Sequence, residues 1–286
     1  MTLDHKIDFA VVLTVKNANP NGDPLNGNRP RQNYDGHGEI SDVAIKRKIR
    51  NRLQDMGESI FVQSNDRKND AYGSLKERAE SHPELAGILK SKENSSDEFA
   101  RLACQEWLDV RGFGQVFAFK GTGKGTGVSV GVRGPISIHS AVSVDPIDIT
   151  STQITKSVNS EAGETRGSDT MGMKHRVDFG VYTFVGSVNT QLAEKTGFTY
   201  EDALRLKDAL TTLFENDASS ARPEGSMEVH KVYWWEHNSK LGQYSSSKVH
   251  RLLSVSSRTD EPKSVDDYAI ELSEMDGLNV EVLDGI

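Results

Sequence analysis

A chain of 286 residues with 35% hydrophobic side chains can form one large domain or a domain carrying insertions. No run approaches the ~18 apolar residues of a membrane span, the opening Met1-Thr2-Leu3-Asp4-His5 lacks a signal-peptide pattern, and a single cysteine, Cys104, excludes an internal disulfide and a cysteine-based zinc site. The formal charge of −8 argues against nucleic acid only until its distribution is read: Thr259–Ile286 holds nine acids and one base, Lys263, so the rest of the chain is neutral overall and free to carry a basic face. These features predict a cytoplasmic protein with no membrane partner. Cys104 reads as a small buried hydrophobe.

The first predicted strand runs Ile7–Val15, where Ile7, Phe9, Val11, Leu13 and Val15 alternate with Asp8, Ala10 and Thr14. It feeds a loop of Asn, Gly and Pro that ends at Arg31. Asn17, Asn19, Asn21 and Gly22 match the first half of a calcium loop, but Asn28 stands where the closing Glu belongs and a strand, not a helix, precedes the loop. A turn-rich connection is one reading. A loop that contacts phosphates is the other, and Arg29 and Arg31 favour it. A helix begins near Ser41 as N-cap, with Asp42 in its first turn and Ile45, Ile49, Leu53 and Met56 as its apolar stripe. Lys46 and Arg50 flank one side of the stripe, Lys48 and Arg52 the other, and Arg47 points away. Only Asp42 and Asp55 oppose these five cations within the helix, so the segment is expected to bind anions.

Gly57–Val110 reads as a mostly helical insertion, one helix carrying Phe99, Leu102, Ala103, Trp107 and Leu108. Arg111-Gly112-Phe113-Gly114 starts like an RNA-recognition strand, then Gln115 and Ala118 replace the stacking aromatics; a plain core strand is the other reading. Lys120–Gly127 lacks the Ser or Thr and the upstream Gly of a nucleotide loop, leaving a flexible loop that brushes phosphates through Lys120 and Lys124. Val130–Val144 is a predicted strand with Ile136, Ile138, Val142 and Val144 on one face and Ser137, His139, Ala141 and Ser143 on the other. Asp145–Phe179 is too long and polar for a structureless loop and is expected to form a protruding hairpin with its tip near Asn159–Gly167. Its return arm places Met171 and Met173 beside Lys174, His175 and Arg176, and apolar wedges next to cations bend nucleic acids. Val181–Val188 is a strand. Thr199 with Asp202 opens a helix by a capping box. Met227–Trp235 is read as the last strand, with Tyr233, Trp234 and Trp235 in the core.

Strand, helix, strand, strand, helix, strand is a ferredoxin-like α+β order. Nearly the whole chain also resembles the crRNA-binding backbone subunit of the type I-C CRISPR Cascade complex, of the RAMP superfamily. The carriers are Asn19-Pro20-Asn21-Gly22-Asp23-Pro24, Gly27-Asn28-Arg29-Pro30-Arg31, Val110-Arg111-Gly112-Phe113-Gly114, Arg133-Gly134-Pro135-Ile136, Ser143-Val144-Asp145-Pro146-Ile147, Thr170-Met171-Gly172-Met173-Lys174-His175 and His237-Asn238-Ser239-Lys240-Leu241-Gly242. The resemblance implies an RRM-like palm (1–56, 111–144 and 180–258), an inserted helical finger (57–110) and a β-hairpin thumb (145–179), leaving 259–286 as an acidic C-terminal tail. It implies copies that polymerise head to tail along crRNA, thumbs that displace guide bases at intervals, target DNA paired to the guide, and other Cascade subunits capping the filament.

Phosphate contacts are expected from Arg29, Arg31, Lys46, Arg47, Arg50, Arg52 and Arg111, with Asn19 and Asn21 on the sugar–phosphate backbone. The thumb wedge is Met171 or Met173. Met173 stands where the resemblance leads one to expect a base, so thumb contacts fall to Lys174, His175 and Arg176. No cofactor, metal or catalytic residue is expected. The alternative is metal-dependent cleavage of target RNA of the type III backbone kind, with Asp23 and Asp35 as candidates, although amides rather than clustered acids surround Asp23. His139 and His175 lack an evident partner for metal-free acid–base cleavage. A general single-strand binder is a third class, and it requires stacking aromatics that Gln115 and Ala118 do not supply.

Overall fold

From the N-terminus, β1 (Ile7–Ala18), β2 (Gly22–Asp23), β3 (Arg29–Pro30) and β4 (His37–Ile40) lead into α1 (Asp42–Asp55). Four shorter helices follow: α2 (Leu75–Glu80), α3 (Pro83–Lys90), α4 (Ser96–Glu106) and α5 (Leu108–Phe113). Next come β5 (Gly114–Lys120), β6 (Gly127–Arg133), β7 (Ile136–Ile138), β8 (Ala141–Pro146), β9 (Ile149–Thr155) and β10 (Met171–Val188). Helices α6 (Thr190–Thr196) and α7 (Tyr200–Thr211) precede β11 (Met227–Glu236), α8 (Ser246–His250), β12 (Leu253–Ser257), β13 (Tyr268–Leu272) and β14 (Val280–Asp284). This computed structural model describes residues 1–91, 95–120, 127–156 and 171–286.

The fold is mixed α+β, built on a large antiparallel sheet in the order β14, β11, β1, β10, β8, β4, with β7 and β9 also paired to β10. Strand β1 explains the layering. Ile7, Phe9, Val11, Leu13 and Val15 pack on one face with Ile45, Ile49 and Leu53 of α1 and Leu206 and Leu210 of α7. Ala10 and Val12 point the other way, into a cluster with Val181, Tyr233, Trp235, Val249, Leu252 and Tyr268. A strand apolar on both faces belongs in the middle of a sheet covered twice. Both helices start where the sequence places them. Ser41 accepts the Ala44 N–H at 3.3 Å, and Thr199 and Asp202 close a reciprocal capping box.

Tyr233, Trp234 and Trp235 are buried, as expected of core residues. Met227–Glu236 is not the last strand, however. β12 and β13 pair with each other, and β14 adds an edge to the main sheet through β11. The acidic segment 259–286 is therefore folded onto the sheet rather than a tail. Glu281 accepts from Lys207 at 2.7 Å and Asp284 from Lys231 at 2.5 Å.

A separate core lies between α2, α3, α4, α5 and the β5–β6 hairpin. It gathers Phe61, Leu85, Leu89, Phe99, Ala103, Trp107, Phe117 and Val128. The helical insertion thus runs past residue 110, because the aromatic side of β5 completes it: Phe117 lies 5.1 Å from Phe99, ring centre to ring centre. This corrects the RNA-recognition-strand reading, since Phe117 is fully buried in that core. Gly114 is needed for the turn out of α5. Its φ is +82°, and a Cβ there would sit 2.4 Å from the Val132 carbonyl oxygen.

The single strand expected over Val130–Val144 is three, β6, β7 and β8. The break at His139-Ser140 moves the alternation by one residue. Ile136 and Ile138 are buried before it, Ala141 and Ser143 after it, and Val142 is exposed. A one-residue slip exchanges the faces of everything beyond it.

Candidate nucleic-acid interface

The lower part of β10 leaves the sheet core and pairs only with β9. Ile149, Ser151, Gln153 and Thr155 stand opposite Val177, His175, Met173 and Met171. Side chains directly opposite each other share a face. One face of the hairpin thus carries Met171, Met173 and His175, and the other carries Gly172, Lys174 and Arg176 with Ile154, Thr152 and Thr150. Met171 is 64% and Met173 54% exposed, values that place two flexible apolar side chains largely in solvent. The expected hairpin tip near Asn159–Gly167 lies outside the described residues, as do positions 121–126 of the loop containing Lys124.

The loop after β1 folds back as a miniature hairpin, Gly22 opposite Pro30 and Asp23 opposite Arg29. Asp23 Oδ1 accepts the Leu25 N–H at 3.1 Å and caps a short turn. Asn21 Oδ1 accepts the Ser41 N–H at 3.0 Å, which ties the loop to the start of α1. Asn19 is 5% exposed; its Nδ2 donates to the Asn28 carbonyl at 2.7 Å, and its Oδ1 is buried without a partner among the described residues. An orphaned buried acceptor of this kind marks a place where an outside donor gains.

Arg29 joins this loop to the thumb. Its Nη1 donates to Ser151 Oγ at 2.8 Å, and the same oxygen lies 2.8 Å from His175 Nδ1. A guanidinium only donates, so Ser151 accepts from Arg29, and its hydroxyl links that guanidinium to the His175 ring. Asn19, Asn28, Met173, Lys174, His175 and Ala221 line a surface cleft of about 270 Å³ between loop and thumb. Donors, a cation and an exposed apolar side chain converge there, which is what a sugar–phosphate backbone with one displaced base requires.

The cations of α1 do not line this cleft, and each has a partner within the chain. Lys46 donates to Asp42 at 2.9 Å and Arg47 to the Val62 carbonyl at 2.6 Å. Lys48 is buried against Asp217, and burial holds its amine down at about 8 from 10.5. Arg50 Nε donates to Asp109 at 2.9 Å and Arg52 Nε to Thr212 at 2.7 Å. Arg111, outside the helix, holds Asp202 with two bonds of 3.0 and 2.7 Å. Counting acids within the helix found Asp42 and missed the other partners, which the fold brings from outside the helix. The structure unites Asn19, Arg29, Met173, Lys174 and His175 around the cleft. Asn21 and Arg31 are in the loop behind it, Arg31 3.7 Å from Asp23. Arg176 pairs with Asp178 at 3.3 Å.

Sequence reasoning did not single out Ser151, Ile154, Ser220 or Ala221. No local pattern marks them; only the thumb register and the approach of the 219–222 turn bring them in, through the 2.9 Å bond from Asn19 N–H to the Ala221 carbonyl. Among the described residues, no three His, Cys, Asp or Glu side chains are placed to hold a metal ion, and no helix is long and apolar enough to cross a membrane. Asp35 is exposed in a turn, and His139 stands near His250, ring centres 6.4 Å apart.

The family model for CRISPR-associated protein Cas7 matches residues 5–273. A CRISPR-associated protein Cas7 of Haloferax volcanii strain DS2 is 25% identical over 289 residues, covering 96% of this chain and 83% of that protein. Among solved structures, a chain of a "CRISPR RNA-guided surveillance complex, pre-nicking" aligns with TM-score 0.50 and 15% identity over 80% of this chain and 78% of that one. A chain of a further "CRISPR RNA-guided surveillance complex" gives TM-score 0.42 and 16% identity over 80% and 68%. The match spans the sheet, the inserted helical core and the thumb arms alike, and the chain belongs to the CRISPR-associated protein Cas7 family.

Proposed function

We propose that this chain is a non-catalytic backbone subunit of a CRISPR RNA-guided surveillance complex, that it coats crRNA in head-to-tail copies in the cytoplasm, and that it leaves the guide free to pair with target DNA. The observation that carries this is the thumb: two exposed methionines and His175 on one face, latched through Ser151 and Arg29 to a loop with an orphaned acceptor. Such a hairpin grips backbone and wedges a base without reading sequence. The strand order supports an RRM-like palm, because β11, β1, β10 and β8 stand in the ferredoxin-like order four, one, three, two. The separate helical core supports the finger. The type I-C motifs support that subtype, and other Cascade subunits are the proposed end caps. In favour of a scaffold over a nuclease, Asp23 is engaged by its turn and by Arg31 rather than grouped with other acids.

The test is to express the chain with its genomic neighbours, size the assembly, and extract and digest its nucleic acid. RNA of one discrete length in a large assembly is expected. Exchanging Arg29 and Lys174 for Ala should lower the log–log salt slope of RNA binding by ~0.7 per lost contact. A monomer free of nucleic acid, or an unchanged slope, refutes the assignment.

A further inference from the structure

A second cavity lies far from the thumb, between α4, β6 and α6, and measures about 390 Å³. Strand β10 carries the chain from Met171 in the thumb to Val188, and α6 begins two residues later. Eighteen residues of strand at ~3.3 Å each separate the two places by roughly 55 Å along β10. Three cations from three elements converge on the cavity: Arg101 of α4, Arg133 of β6 and Lys195 of α6. Arg101 is neutralised by Glu98, to which it donates twice, at 3.0 and 2.5 Å. Arg133 and Lys195 have no ion pair or hydrogen bond of their side chains among the described residues, and the one acid in the lining, Asp97, belongs to the first turn of α4.

A second observation points to a ligand. Thr196 lines the cavity and is 7% exposed, yet its Oγ1 is buried with no hydrogen-bond partner among the described residues. An unpaired buried hydroxyl is costly unless something outside the chain satisfies it. The remaining wall is apolar, with Leu192 and Val132. Two free cations and a hydroxyl donor facing an apolar wall suit one nucleotide, phosphate on the donors and base against the wall. A lone carboxylate side chain would leave most of the space empty.

We propose that this cavity is a second nucleic-acid site, taking a nucleotide of a single strand other than the guide held at the thumb. The proposal rests on the guide-coating reading, and its test separates the two by measuring guide content in the same sample. The full assembly is purified as wild type, as Arg133→Ala with Lys195→Ala, and as Thr196→Val. Each is titrated with a labelled single-stranded DNA lacking complementarity to the guide, over a range of salt. The double variant should keep its guide RNA and its size but lose ~1.4 from the log–log salt slope for DNA. Thr196→Val should melt no lower than wild type, since it removes an orphaned hydroxyl, yet bind the DNA several-fold more weakly. Unchanged DNA binding in both variants overturns the site. Loss of guide RNA or of assembly size in the double variant also overturns it, because the cavity then serves the guide or a neighbouring copy. Wild-type protein that carries no guide RNA refutes the guide-coating reading instead.

Discussion

Asp109 decides whether the cations of α1 hold the fold together or wait for phosphate. Its carboxylate is fully buried and accepts three bonds, from Arg50 Nε at 2.9 Å, the Phe61 N–H at 2.7 Å and the Val62 N–H at 3.0 Å. Arg50 is itself mostly buried and stacks 4.8 Å over the Phe113 ring. Asp109→Ala strands a guanidinium without its counter-charge and two N–H groups without an acceptor. Breaking a buried pair in this way costs about 3–5 kcal/mol. In a chain of this size that lowers the melting temperature by roughly 6–10 °C. Arg50→Ala leaves Asp109 with two donors and should cost less, about 1.5–3 kcal/mol. The double variant should fall short of the sum by about 1–3 kcal/mol, because one interaction is lost twice. Thermal scans of the four proteins measure this, alongside RNA binding at several salt concentrations. If Arg50→Ala leaves melting unchanged and instead lowers the salt slope by ~0.7, the structural assignment of these cations is wrong.

Lys48 makes stability depend on pH in an unusual direction. Burial, opposed by Asp217, holds its amine down at about 8 in the folded chain, so between pH 8 and 10 the unfolded chain keeps a proton that the folded chain has released. Stability then rises with pH across that window, by about 2 kcal/mol from this group. Above pH 10 the trend reverses, because burial holds the Tyr182 phenol above its ordinary value and the unfolded chain loses that proton first. Denaturant midpoints should show the rise, and Lys48→Met, which leaves Asp217 its 3.2 Å bond from Arg222, should abolish it. Gly114→Ala forces a Cβ into a left-handed residue against the Val132 carbonyl and should cost about 1–3 kcal/mol. Amide exchange at Phe117 and Phe119 should accelerate; a loss of RNA binding with exchange unchanged would restore the RNA-recognition-strand reading.

What the sequence made legible was local. Alternation in Ile7–Val15, the stripe of α1 and the capping box of α7 each declare themselves within one element, and each is where it was expected. The thumb was legible for the opposite reason: Ile149–Thr155 and Met171–Arg176 have too little to bury, so a pairing hairpin was the way to satisfy their backbone. Most partners of the α1 cations were not legible because they are remote. Arg50 meets Asp109, Lys48 meets Asp217 and Arg52 meets Thr212, and no periodicity connects these positions. Ser151 was invisible on the same ground, since its bond to Arg29 spans 122 residues. Helical spacing also ended the inserted core at 110, when its last wall is the β5–β6 hairpin.

The acidic C-terminal segment closes one face of the sheet. RNA-recognition sheets stack bases on aromatics of an open face. Here the corresponding face holds Tyr233 and Trp235 at 3% and 1% exposure, sealed by Val249, Leu252, Tyr268 and Leu278. Anything that seals this face must also satisfy Asp8, which lies beneath it, fully buried, with bonds of 2.8 Å from His237 and 3.0 Å from Lys6. Opening the face would uncover that charge network together with two large aromatics, an unfavourable exchange for a stacked base. A surface studded with Glu271, Glu274 and Asp276 also repels phosphate at range. The sheet is therefore closed to RNA on both sides, by α1 and α7 on one and by the C-terminal segment on the other. The proposed RNA contact accordingly lies at the rim, where the loop after β1 meets the thumb. The −8 charge, which argues against nucleic acid when read as a sum, is concentrated in the segment that closes this face, and the proposed contacts Arg29, Lys174 and His175 stand at the rim.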